Sequence, residues 1–263
     1  MNIPSFALLL AAIVQLPTPA VAEEMTFTSA HGGRVAVIAD FPAGRGPHPA
    51  VLLAPGSGYH MRLPALVDTS RALVRDGVAV FRFNWAYFST EPKGKPSDDL
   101  AREVQDMEAV LAAARSDSRV DSRRIGVGGK SLGSIVSWRV FVGDPRISSA
   151  LLLTPVCSQI NKADGKPRAE ATDNYPMFAT ETRPTLWLLG DKDPLCAPHV
   201  LYAFVAKGAG RNRVAVVGGD HSFEDKGLPA TSSAAARARN VSAVATVAAA
   251  FVVELLQSAP SAP

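Results

Sequence analysis

Short, continuously apolar runs alternate along this chain with stretches whose apolar residues recur every three or four positions. Near the start, Met25–Ser29 and Arg34–Ile38 alternate apolar and polar residues on either side of His31-Gly32-Gly33, which reads as an antiparallel hairpin at a sheet edge. Ala50–Ala54, Ile125–Gly128, Ala150–Leu153 and Val214–Val217 are apolar runs, and Val78–Phe83 and Thr185–Leu189 are apolar but for Arg82 and Thr185, as expected of parallel strands covered on both faces. Between them the period changes. Leu63–Asp76 reads as a helix stopped by Gly77. Ser97 is placed to cap a long helix with Leu100, Val104, Met107 and Leu111 on one stripe. Further helices are expected after residue 131 (Ile135, Trp138, Val142), over Ala197–Lys207, and over Ser232–Leu256 with Val244, Val247, Phe251 and Leu255 on one side. Strand and helix in alternation predict an α/β fold, a mostly parallel central sheet with helices on both faces. The polar segment Ser158–Pro184 is long enough for a short cap, and Ser258–Pro263 reads as a disordered tail.

Composition narrows this only a little. At 263 residues, 47% hydrophobic and 19% charged, the chain can bury a full core as one domain. The net charge is +3, and the nearest thing to a basic cluster, Arg119, Arg123 and Arg124, shares its loop with Asp117 and Asp121. Nucleic acid is therefore not implied as a partner. The N-terminus says more. Residues 1–22 carry no charged side chain, Phe6–Leu16 is apolar, Pro17 and Pro19 break the run, and Ala20-Val21-Ala22 fits the small-x-small pattern before Glu23. This predicts a secretory signal peptide over residues 1–22, a domain over 23–257, an exported (periplasmic or secreted) product and no membrane span in the mature chain, the apolar run being too short to cross a bilayer.

The candidate chemistry centres on Ile125–Ser137. An apolar strand runs into Gly129-Lys130-Ser131-Leu132-Gly133 and a helix follows, the outline of a nucleophile elbow. Glycines flank a turn too tight for side chains, and the serine stands at a helix N-terminus, where negative charge is favoured. Gly129-Lys130-Ser131 also looks like the end of a phosphate-binding loop. That motif requires a glycine where Arg124 stands, so phosphate binding is not expected and Lys130 is expected at a structural position or a pocket rim.

Two further residues follow strand ends. Asp193 lies in Gly190-Asp191-Lys192-Asp193, and His221 in Gly218-Gly219-Asp220-His221-Ser222-Phe223. An open parallel sheet gathers its chemistry at the carboxyl ends of its strands, so Ser131, Asp193 and His221 are expected to converge as nucleophile, acid and base. Asp191 is the alternative acid, and Asp220 reads as a loop residue. The glycine-rich Pro55-Gly56-Ser57-Gly58 follows another strand end, so the Ser57 and Leu132 N–H groups are the expected oxyanion donors. Tyr59, His60, Trp85 and Tyr87 are candidates to line the substrate pocket. His31, His48 and His199 have no paired motif, and no spacing of His, Cys, Asp or Glu argues for a metal or a cofactor.

Five segments, Gly56-Ser57-Gly58, Arg82–Tyr87, Gly129–Gly133, Gly190-x-x-Asp193 and Gly219–Phe223, resemble those of α/β-hydrolases close to the dienelactone hydrolases. Within them the chain is similar to the branch named after a testis-expressed protein and a subunit of the nuclear nonspecific-lethal complex. The resemblance implies the α/β-hydrolase fold and the order nucleophile, acid, histidine. Dienelactone hydrolases proper carry Cys where this chain has Ser131, so their substrate is not implied. In this fold the strands ending near Leu153 and Leu189 are expected to be neighbours, which would bring Cys157 and Cys196 within reach of a disulfide. The activity expected is hydrolysis of a carboxylic ester or related acyl bond of a small molecule. An amide or peptide hydrolase with the same triad, and a non-catalytic binding protein on this fold, stay open.

Overall fold

The computed structural model describes residues 20–90, 94–160, 163–164, 167–169 and 173–257. In chain order the elements are β1 (Val21–Thr28), β2 (Arg34–Phe41), β3 (His48–Ala54), α1 (Pro64–Arg75), β4 (Ala79–Phe83), α2 (Ala86–Thr90), α3 (Ala101–Ser116), β5 (Val120–Lys130) and α4 (Leu132–Gly143). Then come β6 (Ser149–Leu153), β7 (Ser158–Ile160), β8 (Pro167–Ala169), β9 (Thr185–Gly190), α5 (Pro198–Val205), β10 (Asn212–Val217) and α6 (Ala230–Gln257). Eight strands form one sheet in the order β1-β2-β4-β3-β5-β6-β9-β10. The β1–β2 and β2–β4 pairs are antiparallel and the rest are parallel, so the hairpin closes one edge of a parallel sheet.

The apolar runs become strands because both faces of the sheet are covered. On one face α3, α4 and α5 enclose a core rich in aromatic rings, among them Trp138, Tyr175, Phe178, Trp187 and Phe204. Phe178 stacks on Phe204 at 4.2 Å between centroids, and Tyr175 meets Trp187 edge-on at 4.9 Å. On the other face α1 and α6 pack over Leu53, Leu153 and Leu188 with smaller groups, Val244, Ala248 and Val252. By length and composition α6 is apolar enough to cross a membrane. Here its apolar stripe is buried against α1 and the sheet, as in a core helix.

Three expectations change. Ser97 is not the N-cap of α3: Leu100 holds that position with φ 61°, and Ser97 lies three residues earlier. Its backbone and hydroxyl bind the Glu103 carboxylate, at 3.1 and 2.6 Å, which closes the start of the helix one turn further out. The segment Ser158–Pro184 is expected as a cap, but within it Tyr175 and Phe178 turn inward while their neighbours stay largely at the surface. Tyr175 and Phe178 are buried in the aromatic core, and the Trp138 indole donates to the Pro176 carbonyl at 2.7 Å. β7 and β8 form a separate two-stranded ribbon, and residues 161–162, 165–166 and 170–172 of this segment lie outside the described ones. Finally, β1 begins before Met25, with Val21 opposite Phe41 and Ala22 opposite Asp40, so the ladder runs across the expected cleavage point. Most of the expected signal peptide, residues 1–19, and the tail from 258 lie outside the described residues.

Candidate active site

β3 adjoins β5 and β9 adjoins β10, with β6 between the two pairs, and the carboxyl end of each of these four strands feeds one loop of the site. Between β5 and α4 the chain turns at Ser131 with φ 56° and ψ −117°, a sparsely populated conformation for a residue with a side chain. The turn is fixed by the Ser131 N–H donating to the Leu153 carbonyl at 2.9 Å. It also requires Gly133. A Cβ there would stand 2.6 Å from the Ala54 carbonyl oxygen and 2.7 Å from that of Pro55, so the elbow lies directly against the chain leaving β3.

His221 bridges the other two residues. Its Nε2 lies 2.8 Å from Ser131 Oγ, and its Nδ1 lies 2.9 Å from Asp193 Oδ2 and 3.0 Å from Oδ1. A ring nitrogen between two carboxylate oxygens carries the proton. That leaves Nε2 as the acceptor facing the serine hydroxyl, the tautomer a base needs. Asp193 is buried and its Oδ1 also accepts the Leu195 N–H at 2.9 Å.

The alternative acid, Asp191, has a different task. Its Oδ1 accepts the Gly219 N–H at 2.7 Å, which ties the acid loop to the histidine loop. Lys192 N–H donates to the Gly219 carbonyl at 3.0 Å in the same joint, and a Cβ on Gly190 would stand 2.1 Å from that oxygen. Asp220 turns away from the His221 ring. Its Oδ1 accepts the N–H groups of Ser222 and Glu224, at 2.8 and 3.1 Å, and its Oδ2 pairs with Lys226. Burial pulls the Asp220 carboxyl up, but Lys226 and those two N–H groups outweigh it and hold it below the usual aspartate range. Cys157 and Cys196 form a disulfide with their Cα atoms 4.6 Å apart, linking the exit of β6 to the acid loop.

The loop after β3 passes beside the elbow. The Trp85 indole donates to the Pro55 carbonyl at 3.0 Å, the Met61 N–H donates to Asn84 at 2.7 Å, and Ser57 to His60 are exposed between these anchors. Leu132 is the first residue of α4, so its N–H belongs to the free first turn of that helix. The four pocket candidates separate. Tyr59 and His60 are exposed beside the elbow, His60 facing Phe88. Tyr87 is half-buried, with its hydroxyl toward Ser57 and the Gly58 backbone, and burial raises its pKa. It also lines, with His31 and Asp106, a cavity of about 290 Å³. Trp85 is fully buried and offers no surface to a ligand: its ring packs edge-on against Phe83, and its role is to hold Pro55.

Two residues next to the elbow have no expected part in the chemistry. Tyr175 is buried and its hydroxyl bonds to Ser134 of α4 at 3.0 Å and to the Val156 N–H at 2.9 Å, which locks the elbow helix to the β6 exit. Lys130 is 1% exposed, on the α1/α6 face of the sheet beneath the histidine loop, and so stands at no pocket rim. Among the described residues, no group of three His, Cys, Asp or Glu side chains is placed to hold a metal ion.

Comparison with known proteins agrees with this geometry. No curated protein matches the sequence. Among solved structures, Est1E from Butyrivibrio proteoclasticus superposes with a TM-score of 0.66 at 15% identity, covering 89% of this chain and 99% of that one. A dienelactone hydrolase from Anabaena variabilis gives 0.66 at 14% identity, over 90% and 99%. XC6422 from Xanthomonas campestris, described as an α/β serine hydrolase without a lid, gives 0.63 at 18% identity, over 91% and 97%. At such identities the likeness shows the fold. The family model described as an alpha/beta hydrolase domain matches residues 47–253, most of the chain and all three triad positions, and the chain accordingly belongs to the α/β-hydrolase family.

Proposed function

We propose that the protein is a serine hydrolase that cleaves a carboxylic ester or related acyl bond through an acyl-enzyme. The observation carrying this reading is the single histidine that reaches Ser131 Oγ at 2.8 Å through one nitrogen and Asp193 through the other. Ser131 Oγ attacks the substrate carbonyl carbon while His221 Nε2 takes its proton, and Asp193 stabilises the imidazolium that forms. The Ser57 and Leu132 N–H groups receive the oxyanion. As the intermediate collapses, the imidazolium protonates the departing alkoxide. Water then attacks the acyl-serine, gives its proton to Nε2, and the carboxylic acid and free Ser131 are released.

Tyr59, His60 and Tyr87 are the side chains assigned to the pocket. Two features support export: the apolar residues 6–16 before Ala20-Val21-Ala22, and the Cys157–Cys196 bridge, since disulfides persist in oxidising compartments. Kinship with the narrower branch named after the testis-expressed protein and the nonspecific-lethal complex subunit rests on Arg82–Tyr87 and Gly129–Gly133.

The test is covalent. A fluorophosphonate probe is expected to label the native protein once, at Ser131, and to leave Ser131→Ala unlabelled, with peptide mapping as the readout. Folded protein that neither labels nor turns over any member of a graded panel of ester chain lengths would favour a binding protein on this fold. Turnover of anilides in place of esters would favour the amide reading.

A further inference from the structure

Lys130 is the anomaly of the site. Its neighbour in sequence is the nucleophile, it is 1% exposed, and its Nζ finds no hydrogen-bond partner among the described residues. An ammonium brings three donors into a site closed to solvent, at a cost that needs an electrostatic reason. The groups facing it supply one. From the loop after β9 comes Asp193, from the loop after β10 come Asp220 and Glu224, from α6 comes Arg237, and from the loop after β3 the Tyr59 ring lies over it at 5.3 Å. Glu224 and Arg237 pair with each other at 3.1 Å, and the charged partner of Asp220, besides the Ser222 and Glu224 N–H groups, is the exposed Lys226. The charges left to Lys130 are Asp193, which holds the His221 ring, and Asp220, the residue before His221 in sequence.

We propose that Lys130 is a positioning residue for the triad: its buried ammonium is the counter-charge shared by Asp193 and Asp220, and it sets the pH at which His221 becomes free to act as base. Carboxylates with no counter-charge favour the charged form of a neighbouring imidazole, and an imidazolium cannot accept the serine proton. A buried positive charge offsets them, and it needs no hydrogen bond to do so, because Coulomb interactions in a poorly screened site act over several ångströms. Burial pushes the Lys130 pKa down to about 8 against the pull of Asp193 and Asp220, so the offset is present at neutral pH and fades above it. This inference rests on the reading of His221 as the base of a serine hydrolase.

The test is the pH dependence of fluorophosphonate inactivation, which reports Ser131 reactivity without knowledge of the ester. Lys130→Met keeps the length and removes the charge. Its acid limb is expected to move up by about one pH unit, the order of shift that a unit charge several ångströms away produces. The difference from native protein should shrink above the pH at which Lys130 itself is neutral. Lys130→Arg should restore the native limb, and Asp220→Asn should move it the opposite way. A nitrogen-resolved NMR titration of the His221 ring in the same proteins reads the shift independently of activity. Should Lys130→Met fail to fold, Asp220→Asn and the ring titration still decide. Acid limbs coinciding within about 0.2 pH units, with a uniform loss of rate at every pH, would overturn the proposal and leave Lys130 a packing residue. Native protein that does not label at all would instead remove the hydrolase reading, and the counter-charge role with it.

Discussion

The two loops flanking Ser131 are held in opposite ways. The acid loop after β9 is fastened along its length: Asp191 to the Gly219 N–H, Lys192 to the Gly219 carbonyl, Asp193 to the Leu195 N–H and the His221 ring, and Cys196 to Cys157. The loop after β3 is pinned mainly near its ends, by Trp85 at Pro55 and by Asn84 and Arg82 at Met61, with the Tyr59 ring resting over Lys130 between them, and it shows Ser57 to His60 to solvent. Groups whose mutual distances decide proton transfer are thus built into the scaffold. The groups proposed to meet the substrate lie on the more exposed span. The same fold keeps precision on one side of the nucleophile and adaptability on the other.

Substitutions on the fastened side should therefore cost the most. Ser131→Ala and His221→Ala are each expected to lower kcat by roughly 10⁴–10⁶-fold, and the double variant should cost little more than either alone, because the residues act as one unit. Asp193→Asn should be less severe, about 10²–10⁴-fold, since the geometry persists while the tautomer is wrong. Rates on an activated ester measure all three.

Removing the clip acts on stability. Cys157 and Cys196 are 39 residues apart in sequence. Opening a loop of that length by Cys157→Ser with Cys196→Ser should cost about 2–4 kcal/mol in urea unfolding, with a smaller change in KM than in the unfolding midpoint. An unchanged midpoint would mean that the hydrogen bonds alone hold the acid loop.

A pH effect belongs to the same side. The Asp220 carboxyl is held below its ordinary range in the folded state, so its contribution is full above the unfolded value and is lost as pH falls through the folded one. Amide-exchange protection of Ser222 and Glu224 should decline on acidification through and below the usual aspartate range. The smallest effect is expected on the open side. His60→Ala should change KM for bulky esters by a few fold, with a melting temperature within about 3 °C of native, since exposed substitutions rarely exceed about 0.5 kcal/mol. A large drop in melting temperature would break the contrast between the loops.

Much of this was legible in the sequence, for a physical reason. Apolar runs of strand length, each followed by a loop bearing one reactive residue, leave a parallel sheet few ways to arrange them, and Ser131, Asp193 and His221 meet in one such arrangement. What was not legible depends on which distant group covers which. Asn84-Trp85-Ala86-Tyr87 reads the same whether its tryptophan faces a ligand or a neighbouring carbonyl. Lys130 is buried because Tyr59 and the histidine loop close over the end of β5, which no local pattern reports. Ser158–Pro184 is polar in composition, so the inward packing of Tyr175 and Phe178 was hidden among its charges. The start of α3 slipped for a smaller reason: Ser97, three residues before the N-cap Leu100, donates both its N–H and its hydroxyl to the Glu103 carboxylate in the first turn.

The contact between Gly190 and the Gly219 carbonyl has a further meaning for how this protein can vary. Backbone presses on backbone there, with 2.1 Å left for any Cβ, so no neighbouring side chain can shrink to make room. In a saturation library, position 190 should tolerate its native residue alone, while Asp191, one step along, should still accept Asn, which keeps an oxygen for the Gly219 N–H. Diversity selected for new substrates would then gather in Ser57 to His60, and the joint between the acid and histidine loops would pass through such selection unaltered.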